Sequence, residues 1–287
     1  MKFRITSILN YHVSEPSTLI LNIHPSFQNQ QLLYESFLIA GIHQTAELKS
    51  GIEGDRLIRT TVDVPGALNY SYSGLVDNNW QTINFENLNE MQVFDFPQGI
   101  LTYLYPSRYC QSDKLFRFAN HQFGNIENPF EKVLAITNWI HKNVEYLSGS
   151  TNAETSAYDT VTQQAGVCRD FAHLGIALCR ALTIPARYCS AYAYQLQPQD
   201  FHACFEVYLA GYWVLFDATK LAPLNGLVRI AVGRDAADTA IANIFGNITL
   251  DSMTVDSQLT EGVLVPFYYE SGKFDGITYD APQTFSS

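Results

Sequence analysis

The fold of this chain is decided by the stretch QQAGVCRDFAHLGIALCRALTIPARYCSAYA, residues 163–193. Small and apolar residues recur in it at the spacing of one helix face, at Cys168, Phe171, Ala172, Gly175, Cys179 and Leu182. This periodicity predicts a helix that starts near Cys168 and packs that face against the protein core. Pro185 is expected to end the helix, and a strand is expected to follow.

Cys168 is predicted to lie at the first turn of this helix. Backbone N–H groups are unpaired there, and the helix dipole favours a negative charge. Such a position favours the nucleophilic thiolate and offers backbone donors to an oxyanion. An inert buried cysteine would fit the same pattern, because cysteine is often a small core residue. The choice between the two depends on which side chains face Cys168.

A β-hairpin is predicted downstream from two runs rich in aromatic and β-branched residues. The runs are FHACFEVYL (residues 201–209) and YWVLFDAT (residues 212–219), and they flank Ala210-Gly211. This pattern is typical of two strands joined by a tight turn. A loop centred on these two residues pairs Leu209 with Tyr212.

That register makes His202 and Asp217 diagonal neighbours on one face of the sheet, within side-chain reach of each other. A carboxylate beside an imidazole fixes its tautomer and stabilises the imidazolium. With Cys168 aimed at the same sheet, the three residues form a candidate set of nucleophile, base and orienting carboxylate.

The segments GVCRDFAHLGIALCRALTIPARY (residues 166–188) and DFHACFEVYLAGYWVLFDATK (residues 200–220) resemble the transglutaminase-like superfamily, in its bacterial branch with an N-terminal β-domain. The resemblance implies that Cys168 is the nucleophile, His202 the base and Asp217 the orienting carboxylate. Two positions depart from the family pattern. Cys204 replaces the usual aromatic residue after His-Ala, and Ala218 replaces the usual proline after the aspartate.

Shorter matches to the same family are YPSRYC at residues 105–110, TSAYD at residues 155–159 and GRDAAD at residues 233–238. The resemblance therefore covers roughly residues 103–238 of the chain.

The fold class is predicted as α+β, with an antiparallel β-sandwich followed by a papain-like transglutaminase core. Residues 1–108 are expected to form the sandwich, because short alternating runs are punctuated there by turn signals. Residues 109–266 are expected to form the core, in which the cysteine-bearing helix packs on an antiparallel sheet. Residues 267–287 are expected to be a loosely packed tail.

Within the core, helices are predicted over residues 113–123 and 129–143, the second beginning at a proline. Residues 228–232 and 249–259 are expected to add strands to the core sheet.

The amino-acid composition limits the kinds of binding partner and the cellular compartment that are expected for this chain. A net charge of −11 and a pI near 5.0 disfavour nucleic acid and anionic membranes as partners. No apolar run reaches the ~18 residues of a transmembrane helix, and the basic start MKFRITSILNYHV continues into no signal-peptide core. Five cysteines without framework spacing are typical of a reducing compartment, so a cytoplasmic location is expected.

The sequence predicts no metal and no cofactor, since it contains no P-loop, dinucleotide, HExxH or CxxC motif. His173 is rejected as the base because it lies about 140° round the helix from Cys168. Glu206 is interpreted as a structural acid. Asp170 is expected to bind local backbone or an arginine such as Arg187.

These observations predict thiol-dependent acyl chemistry on a peptide or protein amide. The Cys168 thiolate attacks the carbonyl, His202 protonates the leaving amine, and a thioester forms. Water as acceptor makes the protein a cysteine protease or amidase, and an amine makes it a transglutaminase. Hydrolysis is preferred for a bacterial cytoplasmic member. A non-catalytic binding module that keeps the fold is the alternative, and the oligomeric state is not predicted.

Overall fold

The computed structural model describes residues 1–27, 30–49, 54–87 and 91–279. The strands before the first helix are β1 (Lys2–Val13), β2 (Ser17–Leu21), β3 (Gln30–Ala40), β4 (Gln44–Lys49), β5 (Arg56–Val62), β6 (Gly66–Asn78) and β7 (Gln81–Asn84). The α-helices are α1 (Gln98–Leu101), α2 (Ser112–Phe123), α3 (Pro129–Asn143), α4 (Ala157–Gln163) and α5 (Cys168–Ala181).

The later strands are β8 (Glu145–Tyr146), β9 (Ala165–Gly166), β10 (Ala186–Ala193), β11 (Phe201–Leu209), β12 (Tyr212–Phe216), β13 (Leu227–Gly233), β14 (Ala242–Phe245), β15 (Ile248–Glu261) and β16 (Asp275–Thr278). Short 3-10 turns occupy Val93–Asp95, Thr102–Leu104 and Leu224–Gly226. No helix in the described part of the chain combines the length and apolar character that crossing a membrane requires.

The N-terminal region is an antiparallel β-sandwich, as predicted. One sheet has the strand order β15-β1-β6-β3 and the other β14-β2-β5-β4. Buried and exposed positions alternate along β1 and β6, so each strand presents one apolar face. These faces share one core, which includes Phe3, Ile5, Leu19, Leu21, Ile58, Tyr70 and Tyr72.

Two strands of this sandwich come from the far end of the sequence. β15 pairs with β1 from Phe3↔Leu259 to Val13↔Ile248, and β14 pairs with β2. The expectation that residues 249–259 extend the core sheet is therefore wrong, because alternation identifies a strand without identifying its partner. The domain boundaries at residues 108 and 266 stay a prediction.

The core sheet is antiparallel and has the order β13-β10-β11-β12-β16-β7. The strand expected over residues 228–232 is β13, and the two predicted helices are α2 and α3. The expected loose tail is wrong for residues 267–279, since β16 pairs with both β12 and β7 and Ile277 is fully buried. Residues 280–287 lie outside the described residues.

The sandwich packs against the core sheet, because Tyr192 of β10 and Val228 of β13 belong to the sandwich core. Buried hydrogen bonds join the two regions. The Tyr192 hydroxyl donates to the Ile23 carbonyl at 2.7 Å, and Asn78 Nδ2 donates to the Leu227 carbonyl at 2.6 Å. The N-terminal region thus supports the strands beside β11.

Helix α5 lies very close to the core sheet at Gly175. A Cβ atom built there would lie 2.6 Å from Cε1 of Phe205, a fully buried ring of β11. The absence of a side chain at Gly175 therefore sets how closely the helix that carries Cys168 approaches the strand that carries His202.

We expect Gly175→Ala to destabilise the fold relative to Gly99→Ala, a helical position with open space around it. Both substitutions increase helix propensity. The difference between their free energies of unfolding, about 1–3 kcal/mol, therefore measures the overpacking against Phe205. Denaturant unfolding of the two variants checks it. Equal free energies of unfolding would contradict the close approach.

Candidate active site

Cys168 is the first residue of α5, as predicted, and it is half-buried. The preceding residue Val167 is extended, and its N–H donates to the Asp170 carboxylate at 2.9 Å. Just before it, β9 pairs in parallel with β8. The chain is therefore fixed on both sides of the thiol, which lies at the positive end of the helix.

The hairpin register is as predicted, with Leu209 opposite Tyr212 and Phe205 opposite Phe216. It brings His202 and Asp217 together, and Nε2 of the imidazole lies 2.8 Å from Oδ2 of the carboxylate. Both residues are buried, with exposed fractions of 2% and 5%. A hydrogen bond between these groups, shielded from water, is much stronger than one at the surface.

Thr219 orients the Asp217 carboxylate. Its backbone N–H and its hydroxyl each donate to Asp217 Oδ1 at 2.8 Å. The same hydroxyl lies 2.9 Å from Oδ2, the oxygen that faces the imidazole, so Thr219 fixes both oxygens of the carboxylate. The role of Thr219 was not predicted, although its position two residues after an aspartate is a common site for such a turn.

The pKa of His202 is raised from 6.5 to about 10. Burial lowers it, but the charge and hydrogen bond of Asp217, followed by those of Cys168, outweigh the burial. Nδ1 of His202 is buried, and within the described residues it has no hydrogen-bond partner other than the Cys168 thiol. The imidazole is therefore held as a cation beside Cys168, with Nδ1 left to exchange a proton.

Two tyrosines near Cys168 were missed by the sequence analysis. Tyr146 lies opposite Gly166 in the β8–β9 pair, and its ring is 5.8 Å from that of Phe171. Its pKa is raised to about 12, first by burial and then by the charge of Cys168, whose thiol and backbone N–H both interact with the hydroxyl. Tyr188 of β10 lines a cleft that Cys168 and His202 also line. Its pKa is raised by burial and by the charge of Cys168.

Cys168 and His202 open into a cleft of about 650 Å³. One wall comes from α5, β10 and β11, and the other from residues 236–243, which lead into β14. The lining is dominated by small side chains, including Ala153, Ala203 and Ala240. The cleft can therefore admit an extended chain to the thiol.

Asp170 and His173 of α5 have structural contacts. Asp170 accepts the local backbone N–H of Val167 and pairs with Arg169 at 3.0 Å, which agrees with the expectation of local backbone or an arginine, although the arginine is Arg169 and not Arg187. It also accepts from the Thr151 hydroxyl at 2.8 Å. The carboxylate thus turns back towards the start of its own helix. His173 is fully buried, and its Nε2 accepts the N–H of Ala236 at 3.1 Å.

Glu206 lies in a buried ion cluster behind the site. Its two carboxylate oxygens accept from Arg187 Nε and Arg229 Nη1, and the Arg187 guanidinium lies 4.1 Å from the ring centre of Trp213. The structural interpretation of Glu206 agrees with these contacts. Among the described residues, no group of three or more His, Cys, Asp or Glu is arranged to hold a metal ion.

Comparison with known families matches both regions of the chain. The model of the transglutaminase-like superfamily matches residues 117–218, and the model of the bacterial transglutaminase N-terminal domain matches residues 1–99. The two matches follow the predicted order of a β-domain and a core, and they confirm the family and the α+β fold.

A solved structure of a proposed cysteine protease from Cytophaga hutchinsonii is 48% identical, with a TM-score of 0.94 over 97% of each chain. An uncharacterized protein of Mycobacterium leprae (strain TN) is 26% identical over 166 residues, which span 55% of this chain but only 58% of that protein. The periplasmic domain of TgpA from Pseudomonas aeruginosa is 18% identical with a TM-score of 0.39, over 75% of this chain and 76% of that chain.

We expect the rate at which iodoacetamide alkylates Cys168 to change little between pH 6 and pH 9. The raised pKa keeps His202 cationic where a free imidazole, with a pKa of 6.5, is neutral. The charge that faces the Cys168 sulfur, at the N-terminus of α5, is therefore the same across this range. Peptide mapping by mass spectrometry at each pH gives the rate.

The control is His202→Ala, in which the rate should rise with pH as for an ordinary thiol. This comparison is needed because Cys110, Cys179, Cys189 and Cys204 are buried and react slowly for lack of access. If the alkylation rate rises with pH in the wild type as it does in the variant, His202 does not activate the Cys168 thiol.

Proposed function

Because this chain belongs to the transglutaminase-like superfamily, we propose that it catalyses thiol-dependent acyl chemistry on peptide or protein amides. The observation that carries the proposal is the buried hydrogen bond between His202 and Asp217, beside a cysteine at a helix N-terminus. Nucleophile, base and orienting carboxylate are the three groups that such chemistry needs.

In the first half-reaction, the Cys168 thiolate adds to the carbonyl carbon of the amide, and a C–S bond forms. The carbonyl oxygen takes the negative charge, and we assign its stabilisation to the Cys168 N–H at the helix N-terminus and to the neighbouring Tyr146 hydroxyl. The oxyanion collapses, the C–N bond breaks, and His202 Nδ1 gives its proton to the leaving amine. A thioester and a neutral imidazole remain.

In the second half-reaction, the acceptor adds to the thioester while His202 Nδ1 takes its proton. The C–S bond breaks and restores the thiolate beside the imidazolium. Asp217 holds the ring through Nε2 in both halves, so that Nδ1 keeps facing the reacting atoms.

Water is the proposed acceptor, which makes the protein a cysteine protease or amidase. The 48% identity to the proposed cysteine protease of Cytophaga hutchinsonii over 97% of that chain supports this choice. Transfer to an amine would use the same residues and differ only in the acceptor.

We expect Cys168→Ala to abolish turnover, on the order of 10⁶-fold, and His202→Ala to cost nearly as much. Asp217→Ala should cost less, about 10⁴-fold, because the carboxylate orients the base without taking its proton. Kinetics on a panel of peptide and glutamine-amide donors measure these losses. Wild-type turnover by Cys168→Ala would refute the assignment of the nucleophile.

Products formed from the same donors with and without a primary amine identify the acceptor. Mass spectrometry should find the free acid in both mixtures. An amide formed with the added amine as the main product would replace hydrolysis by transfer.

We expect Tyr146→Phe to lower kcat by about 10²-fold with little change in KM, because it removes one oxyanion donor but keeps the ring on Phe171. Tyr158→Phe, at an exposed tyrosine of α4, is the matched control and should leave both constants unchanged. An unchanged kcat in Tyr146→Phe would exclude the hydroxyl from the reaction.

A further inference from the structure

The motif YPSRYC, residues 105–110, has no part in the mechanism, yet it places a cation in the cleft. Arg108 and Tyr109 line the same cleft as Cys168 and His202, and Arg108 is exposed. None of the described residues that line this cleft is acidic, although the whole chain carries a net charge of −11. The charged side chains that line the cleft are thus basic, in a chain whose net charge is negative.

Arg108 is the arginine of this lining whose charge stays available. Arg169, which also lines the cleft, binds the Asp170 carboxylate at 3.0 Å and the Asn152 carbonyl at 2.6 Å. Within the described residues, no salt bridge joins Arg108 to a carboxylate. Its pKa is raised first by Tyr109, and more weakly by Asp235 and Glu154, so the guanidinium is charged throughout the physiological range.

A rigid platform holds this cation. The guanidinium carbon lies 5.0 Å from the centre of the Tyr109 ring. The backbone N–H of Tyr109 donates to Asp235 Oδ2 at 3.0 Å, and its hydroxyl donates to the Ala153 carbonyl at 2.8 Å. The other support is His173, whose buried ring stacks on Tyr109 at 4.9 Å and 10°.

Arg108 lies over the ring and hydrogen-bonds the Tyr109 side chain, and a guanidinium with five N–H donors keeps the others for a ligand. Because the ring is fixed by two hydrogen bonds and a stacking contact, little conformational freedom is lost when a ligand binds. Arginine in such a position is suited to a carboxylate, which it can bind through two parallel hydrogen bonds.

We propose that Arg108 is a specificity-determining residue that binds a carboxylate of the substrate close to the scissile amide. The substrate class is then an amide donor with an acidic side chain or a terminal carboxylate on one side of the bond. This inference rests on the proposed function and adds the chemical class of its substrate.

Activated esters test the subsite without a known natural substrate. On the acyl side, 4-nitrophenyl butyrate is compared with mono-4-nitrophenyl glutarate. On the leaving-group side, methyl 4-acetoxybenzoate is compared with 4-acetoxybenzoate. In one of the two pairs, Arg108→Gln should lower kcat/KM for the anionic ester about tenfold and change the neutral ester less than about twofold.

The pair that responds identifies the side of the bond on which the carboxylate lies. Arg108→Lys should restore part of the loss, and Arg117→Gln, at an exposed arginine of α2, should have no effect. Unchanged ratios of anionic to neutral ester in both pairs would overturn the subsite.

Equilibrium binding separates this proposal from the proposed function. Succinamate, glutaramate and adipamate, each with its neutral diamide, are titrated calorimetrically into Cys168→Ala and into Cys168→Ala with Arg108→Gln. Loss of binding of an acid amide in the double variant supports the subsite even if no ester acylates Cys168. Equal affinities in the two proteins, or no binding of any acid amide, would overturn it.

Discussion

The hydrogen bond between His202 and Asp217 is the constraint on which the site depends. Burial strengthens this hydrogen bond. The free-energy cost of burying the carboxylate is offset in part by the hydrogen bond from Thr219. The two side chains meet because of the register of β11 and β12, since a slip by one residue would turn one of them to the opposite face of the sheet. The packing of Phe205 against Gly175 therefore serves the chemistry, because it places helix α5 on that register.

The sandwich contacts the elements that form the site on two sides. Behind the core sheet it packs on β10 and β13, next to the buried cluster formed by Glu206 with Arg187 and Arg229. Removal of one member would leave a buried charge without its partner, so this side of the sheet resists deformation. At the front, β14 joins the wall of residues 236–243 to the sandwich sheet. The N-terminal region thus supports the strands beside His202 and shapes the cleft.

The parts of the site that depend on counting along one hairpin could be predicted from the sequence. His202 and Asp217 follow from the turn at Ala210-Gly211 because strand pairing has a period of two. Contacts between distant segments could not be predicted in this way. Tyr146 reaches Cys168 through a two-residue parallel pair that no periodicity marks. The partner of β15 was missed for the same reason, since alternation reports which face is buried but not against what.

The pairing of β1 with β15 has a consequence for biosynthesis. β1 is synthesised long before residues 248–261, which cover one of its two edges. Until then β1, which pairs with β6 on its other side, is an edge strand whose free backbone groups are open to wrong partners. Cys168, His202 and Asp217 are all synthesised before this edge closes. The sandwich is therefore completed only after these three residues have been made, and a chain released before β15 has a core sheet that lacks both β16 and the full sandwich behind it.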